Sequence, residues 1–290
     1  MRVRAASSVG VVVIGLAPAL AGGPLFALLM AVLGVLAYHE YRSLGIRLVG
    51  PRVVAISGYA AAAAFAFAPL LDEGNLLVVA VAAGAIAVPL IGALFDPTGT
   101  DAFQSWALAA AGSLYVGLPL YGAVALRSFQ GDIDAPWLTR AAEGASLGLP
   151  AAPRGLAWIL IAILAVWLGD TAAYLAGRSW GRRPLLPRVS PKKTVEGALA
   201  GLLGSTLVGA LGVRWFGLDV PWVAGAAIGL LLGAVGQVGD LAESLLKRQA
   251  GVKDSGDLIP GHGGILDRID ALLFALPTAW FLAELIDRHG

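Results

Sequence analysis

The 290-residue chain has no cysteine. Disulfides and thiolate metal sites are therefore excluded. Charge is scarce too. Only 13% of residues are Asp, Glu, Lys or Arg, while 58% are hydrophobic and the mean hydropathy is +0.80. Soluble domains carry roughly 25% charged residues. That deficit, with apolar runs along the whole chain, excludes an ordinary soluble globule and indicates an integral membrane protein. Histidine occurs three times, so a zinc site has few ligands to draw on. Walker A, GxSxG and HExxH patterns are missing. Their absence removes P-loop ATPase, nucleophile-elbow hydrolase and zincin readings.

What is present is a series of apolar runs. A spanning helix needs about 20 apolar residues. Candidate spans lie near 8–22, 24–39, 53–71, 76–95, 104–126, 155–177, 196–214, 221–239 and 266–286. They predict an all-α fold, a polytopic integral membrane helical bundle of about nine transmembrane helices. Pro18, Gly22, Gly23 and Pro24 punctuate the first two runs. One continuous helix over 8–39 is the competing reading and reduces the count to eight. The run after MRVR resembles a signal peptide in position, but no small-residue cleavage site precedes a soluble domain, and a retained helix is expected.

With nine spans, the loops 40–52, 96–103, 178–195 and 240–265 share one side with the N-terminus. Of the 20 Lys and Arg residues, all but Arg127, Arg140, Arg154, Arg214 and Arg288 lie on that side. The positive-inside rule makes it cytoplasmic. A multi-pass protein of the cytoplasmic membrane follows, with cytosolic polar loops forming the active site. The 127–154 loop lies outside. No repeat and no soluble domain stand out. The chain is read as one membrane domain, with N-terminal transmembrane helices in 1–150 and a catalytic transmembrane region in 151–290.

Two clusters interrupt the apolar pattern. Residues 244–270 read SLLKRQAGVKDSGDLIPGHGGILDRID. Asp267 and Asp270 share one face if a helix starts there, and a helix N-terminus favours acids. Gly263 and Gly264 permit close approach of backbone to a ligand. A capping and interface-anchoring pair is the plainer alternative. Asp240, at the cytosolic end of the eighth span, supplies a third carboxylate. Three carboxylates converging from two helix ends suit a hard cation such as Mg2+, with a second cation left open. Lys247, Arg248 and Lys253 offer cationic contacts for phosphates, or anchor to anionic lipid. His262, between glycines, identifies nothing without its neighbours.

The second cluster, residues 169–197, reads GDTAAYLAGRSWGRRPLLPRVSPKKTVEG. Asp170 lies about two helical turns inside the sixth span. An acid at that depth is costly and marks a functional candidate facing the bundle interior, with a structural hydrogen bond as the alternative. The SPKKTVEG run is expected to begin a helix, with Ser190 as N-cap and Pro191 as first helical residue. A helix N-terminus beside Lys192 and Lys193 is a ready phosphate site. Glu196 is a capping or network residue. His39 and Glu40 are expected to close the second span as interfacial residues.

Taken together, Ser244, Leu246, Lys247, Arg248, Lys253, Asp254, Gly256, Ile259, Pro260, His262, Gly263, Gly264, Ile265, Asp267, Arg268, Ile269 and Asp270 resemble the C-terminal signature of the phosphatidate cytidylyltransferases, or CDP-diacylglycerol synthases. GDTAAYLAGRSWGRRPL, SPKKTVEG and GQVGDLAESLLKR look like that family as well. The resemblance is strong over about 155–286 and rests on hydropathy and length before 150. It implies that CTP and phosphatidic acid give CDP-diacylglycerol and pyrophosphate, with Mg2+. By position, Asp240, Asp267 and Asp270 match the family's metal-binding acids, with Lys247 and Arg248 beside them in catalysis. Ser190, Lys192, Lys193, Lys253, Asp254, His262, Gly263, Gly264, Arg268 and Asp170 are then expected to bind substrate or shape the site. The implied partners are CTP, phosphatidic acid and the lipid bilayer, with no nucleic acid. Whether the chain is a monomer or a homodimer stays open. So do two alternatives, a CTP-dependent lipid kinase acting on polyprenol or phytol, and a transporter using Asp170 as a coupling acid.

Overall fold

The computed structural model describes residues 15–50, 56–71, 76–95, 102–258 and 263–289. Helix dominates. The long elements are α1 Gly23–Val49, α2 Ile56–Leu71, α3 Leu76–Leu94, α4 Ala102–Arg127, α6 Pro153–Trp180, α7 Val195–Trp215, α8 Trp222–Gln249 and α10 Leu272–His289. Two short helices, α5 Pro136–Ala145 and α9 Leu266–Ile269, complete the helical set. The strands β1 Pro184–Leu186 and β2 Ser190–Thr194 form one antiparallel hairpin. Among the described residues six helices, α1, α3, α4, α6, α7 and α8, are long and apolar enough to cross a membrane. The all-α polytopic membrane architecture is therefore as expected.

Boundaries differ from the sequence reading where charge was taken as the end of a helix. The second span, placed at 24–39, continues to Val49. Tyr41 and Leu44 stay buried in its extension, and Gly50, with φ +90°, ends it. The eighth span, placed at 221–239, runs on to Gln249. It stops at Gly251 (φ +70°), where the amides of Gly251 and Val252 return to the carbonyls of Arg248 and Lys247. The first span falls largely outside the described residues. Its end, 15–21, is helical, and Gly22 (φ +68°) separates it from α1, so one continuous helix over 8–39 does not form.

Two further expectations are corrected. Ser190 is not an N-cap and Pro191 does not start a helix. Both lie in β2, where Ser190 pairs with Leu186. The cap of α7 is Thr194, whose Oγ1 accepts from the Gly197 amide at 3.1 Å. Nor does one helix cover 266–286. It breaks after Ile269, because the Ala271 N–H donates to the Asp270 carboxylate itself at 2.7 Å in place of a carbonyl one turn back.

The chain divides into two compact units. The first contains Gly23–Ala125 and Leu246–Ile269. Its helices pack by setting aromatic rings against glycines: Tyr38 fills the space of a Cβ at Gly58, Tyr41 that at Gly112 and Phe65 that at Gly117. The second unit contains Ala19–Gly22, Leu126–Leu245 and Asp270–Gly290. Its centre is α6, α7 and α8, brought close by small residues. A Cβ at Gly209 would overlap the Gly225 carbonyl, and one at Gly229 the Ser205 carbonyl. Membrane helices use such small faces because backbone approach replaces the hydrophobic drive that lipid cancels. Arg127, 1% exposed, ties this unit's ends together. Its guanidinium donates to the carbonyls of Ala19, Leu20 and Ala152 at 2.5, 2.9 and 3.1 Å.

Candidate active site

In the first unit, polarity concentrates where the C-terminal half of α1 meets Lys247, Ser255 and residues 263–267. Lys247, on the last turns of α8, donates to Asp267 Oδ1 at 2.5 Å. Both side chains are largely buried, at 11% and 7% exposure. Asp267 Oδ2 accepts from the Ser255 amide, the Ser255 hydroxyl and the Gly264 amide, each at 2.9 Å. Gly263 has φ +82°, and a Cβ there would sit 2.9 Å from Asp267 Oδ2, so the turn admits only glycine without strain. Burial raises the Asp267 carboxyl, but the Lys247 hydrogen bond, the Gly264 and Ser255 amides and the Lys247 charge outweigh it and hold it below the usual value. A cleft of about 460 Å³ lies beside this centre, lined by His39, Ser43 and Arg47 of α1 and by Asp254, Gly256 and Asp257.

In the second unit, Lys193 Nζ contacts Asp240 Oδ2 at 2.5 Å, with both side chains about one-third exposed. Ser244 Oγ donates to Asp240 Oδ1 at 3.4 Å. Asp170 is within electrostatic reach of both Asp240 and Lys193. It lines a small cleft with Gly169, Ser205, Gly233, Gly236 and Gln237. The hairpin carries Lys193 to this position. Glu196 fixes the hairpin to the first turn of α7 by accepting from the Arg182 and Arg183 amides at 3.1 and 3.2 Å and from Arg183 Nε at 3.4 Å. Its expected network role is what the geometry shows.

The remaining expected residues that are described lie mostly at the surface. Lys192, Lys253 and Asp254 are exposed. Arg248 donates to the Val252 carbonyl at 3.2 Å, and Arg268 is exposed on α9. His262 lies outside the described residues. Asp267 belongs to the first unit, and Asp240 and Asp270 to the second. Among the described residues no group of three or more His, Asp or Glu side chains is gathered as a cation site. Within each unit, one carboxylate oxygen suits positive charge. Asp240 Oδ2 and Asp267 Oδ1 each already hold an ammonium at 2.5 Å, so both oxygens favour positive charge.

Sequence reasoning passed over Glu40. It does not close α1, which runs on to Val49, and it is a buried acid, 5% exposed. It also passed over Glu243, fully buried in α8. An acid deep in an apolar helix was a readable signal in both cases.

The Cytidylyltransferase family model matches residues 2–286. The chain belongs to the Cytidylyltransferase family. Curated proteins named phosphatidate cytidylyltransferase are similar to it. The one from Synechocystis sp. is 50% identical over 136 residues, 46% of this chain and 45% of its own length. The Bacillus subtilis protein is 44% identical over 131 residues, covering 45% of this chain and 49% of its own length. That of Staphylococcus saprophyticus is 48% identical over 124 residues, covering 43% and 48%. The chain thus spans about half the length of the curated relatives it matches. Family membership bears out the resemblance read from residues 244–270.

Proposed function

We propose that this cytidylyltransferase-family chain joins CTP to phosphatidate, giving CDP-diacylglycerol and pyrophosphate at the cytosolic face of the membrane. The observation that carries the reading is the pair of ammonium–carboxylate contacts, Lys193–Asp240 and Lys247–Asp267, in a chain with so few charges. The name shared by the similar proteins supplies the reaction.

The chemistry asks little proton transfer of the protein. A phosphate oxygen of phosphatidate is already anionic, so it can form a bond to the α-phosphorus of CTP without a general base. The bond from that phosphorus to the bridging oxygen breaks, and pyrophosphate leaves with the electron pair. The obstacle is bringing an anion to a polyanion, and charge neutralisation with positioning removes it. Lys247 and Lys193 can exchange part of their carboxylate contact for a phosphate oxygen. Lys192, Lys253, Arg248 and Arg268 add positive charge at the surface. The acids that would attract Mg2+ are Asp267 in the first unit and Asp240 and Asp270 in the second, with Asp170 near Asp240. When bound, Mg2+ neutralises the triphosphate and polarises its oxygens. Thr194 and Glu196 fix the hairpin that presents Lys193.

The test is direct. Detergent-purified protein is given radiolabelled CTP, phosphatidate and Mg2+. Labelled CDP-diacylglycerol and pyrophosphate are expected. CDP with a newly phosphorylated lipid, or no CTP turnover, would overturn the reading. Asp240→Asn should lower turnover by at least about 100-fold while the protein still inserts and purifies, as expected when a charge-stabilising group is lost.

A further inference from the structure

We infer that Glu40 of α1 is a positioning residue for this reaction: its carboxylate joins Ser255 to Ile265 and Leu266 and so holds Asp267 against Lys247. The inference rests on the cytidylyltransferase reading for its kinetic consequence and on geometry alone for the clamp.

Three observations meet at Glu40. Its Oε1 accepts from the Ile265 amide at 2.9 Å. Its Oε2 accepts from the Leu266 amide and the Ser255 hydroxyl, both at 2.8 Å. The donors are 215 to 226 residues away in sequence, so one side chain joins Ser255 to Ile265 and Leu266. Second, Gly256 and Gly264 leave room for this carboxylate. A Cβ at Gly256 would lie 2.7 Å from Glu40 Oε1, and one at Gly264 would overlap Glu40 Oε2 and the Ser255 hydroxyl. Those glycines leave room for an acid, not only for a turn. Third, Ser255 links the clamp to the chemistry. The same hydroxyl lies 2.8 Å from Glu40 and 2.9 Å from Asp267, and Leu266 and Asp267 are consecutive.

An acid is required, not merely a polar group. Every group facing the Glu40 oxygens is an N–H or O–H donor. A glutamine would turn its own NH2 toward one of them, and leucine would leave the Ile265 and Leu266 amides without their acceptor, the costlier case. Glu40 touches no reacting atom in this scheme. It acts through Ser255 and Leu266 on Asp267.

The experiment uses the full chain in detergent as wild type, Glu40→Gln, Glu40→Asp and Ser255→Ala. Cytidylyl transfer, thermal midpoint and trypsin cleavage after Lys253 are measured on each. For Glu40→Gln, kcat per folded molecule should fall by about tenfold or more, with KM for CTP and for phosphatidate within about twofold, as misplacement of a catalytic group predicts. Trypsin cleavage after Lys253 should quicken, and Glu40→Asp should recover part of both. Wild-type kcat and wild-type cleavage in folded Glu40→Gln would overturn the inference. So would activity lost only in proportion to folded protein. If Glu40→Gln does not fold, Ser255→Ala decides, because unchanged kcat and cleavage there would also overturn it. If wild type makes no CDP-diacylglycerol, the reaction fails as a reading, and the cleavage rates alone decide whether Glu40 holds the loop.

Discussion

Asp267 shows how one carboxylate serves structure and charge together. One oxygen faces Lys247, and the other collects three donors from Ser255 and Gly264. Its carboxyl lies below the ordinary value, because the Lys247 bond and the amides outweigh the burial that raises it. A depressed acid stabilises the fold above its unfolded value, near 3.9, and that contribution is lost as pH falls through the folded value. Wild type should therefore lose thermal stability as the pH falls below about 4, whereas Asp267→Asn should start lower and show a flatter acid limb. Midpoints measured across that range check the sign, and a steeper acid limb in Asp267→Asn would contradict it. Lys247→Met is the complementary change. It leaves a largely buried carboxylate without its ammonium, a loss that costs about 3 kcal/mol or more. Denaturation of purified protein at pH 7 should show it.

At the scale of elements, the second unit depends on backbone approach between α7 and α8. Gly197, Gly201, Ser205 and Gly209 recur every fourth residue on α7, and Gly225, Gly229 and Gly233 do the same on α8. Gly209→Val places methyl groups where the Gly225 carbonyl and Gly229 backbone lie. The helices must separate, and the thermal midpoint in detergent should fall by several degrees, more than for the same change at Gly144, where a Cβ meets nothing within 4 Å. Equal effects at both positions would contradict the packing argument. Thr194→Ala, by removing the cap of α7, should cost about 1 kcal/mol.

Much of this was legible. Hydropathy placed the long helices, since apolar runs report burial in lipid directly. The small-residue spacing that packs them was equally visible in the letters but was not read as a pattern. Helix ends were misjudged where charge was taken to mean exit from the membrane. The helices at Glu40 and Asp240 continue because their acids find local donors or a lysine. The hairpin at 184–194 was missed because SPKKT has the composition of a helix start, and only pairing with β1 reveals otherwise. Of the site, the signature singled out Lys247 and Asp267 but not their pairing. The Lys193–Asp240 and Lys247–Asp267 partnerships, and the clamp from α1, are long-range facts that spacing does not encode.

For the whole molecule, orientation is the property on which the proposed reaction depends, because CTP is in the cytosol. Arg188 and Lys253 fall in polar segments assigned to one side, whereas Gln130 lies in the 127–154 segment assigned to the other. Lys253, Arg188 and Gln130 are all exposed. A chain without cysteine makes each introduced thiol unique. Lys253→Cys and Arg188→Cys should stay unlabelled by a membrane-impermeant maleimide applied to intact cells and react once the membrane is opened. Gln130→Cys should react in intact cells. The positive-inside asymmetry requires that division, since moving basic segments across the bilayer is opposed by the same forces that retain them. Labelling of Lys253→Cys from outside would place the signature away from its nucleotide, and the proposed reaction would lose its substrate.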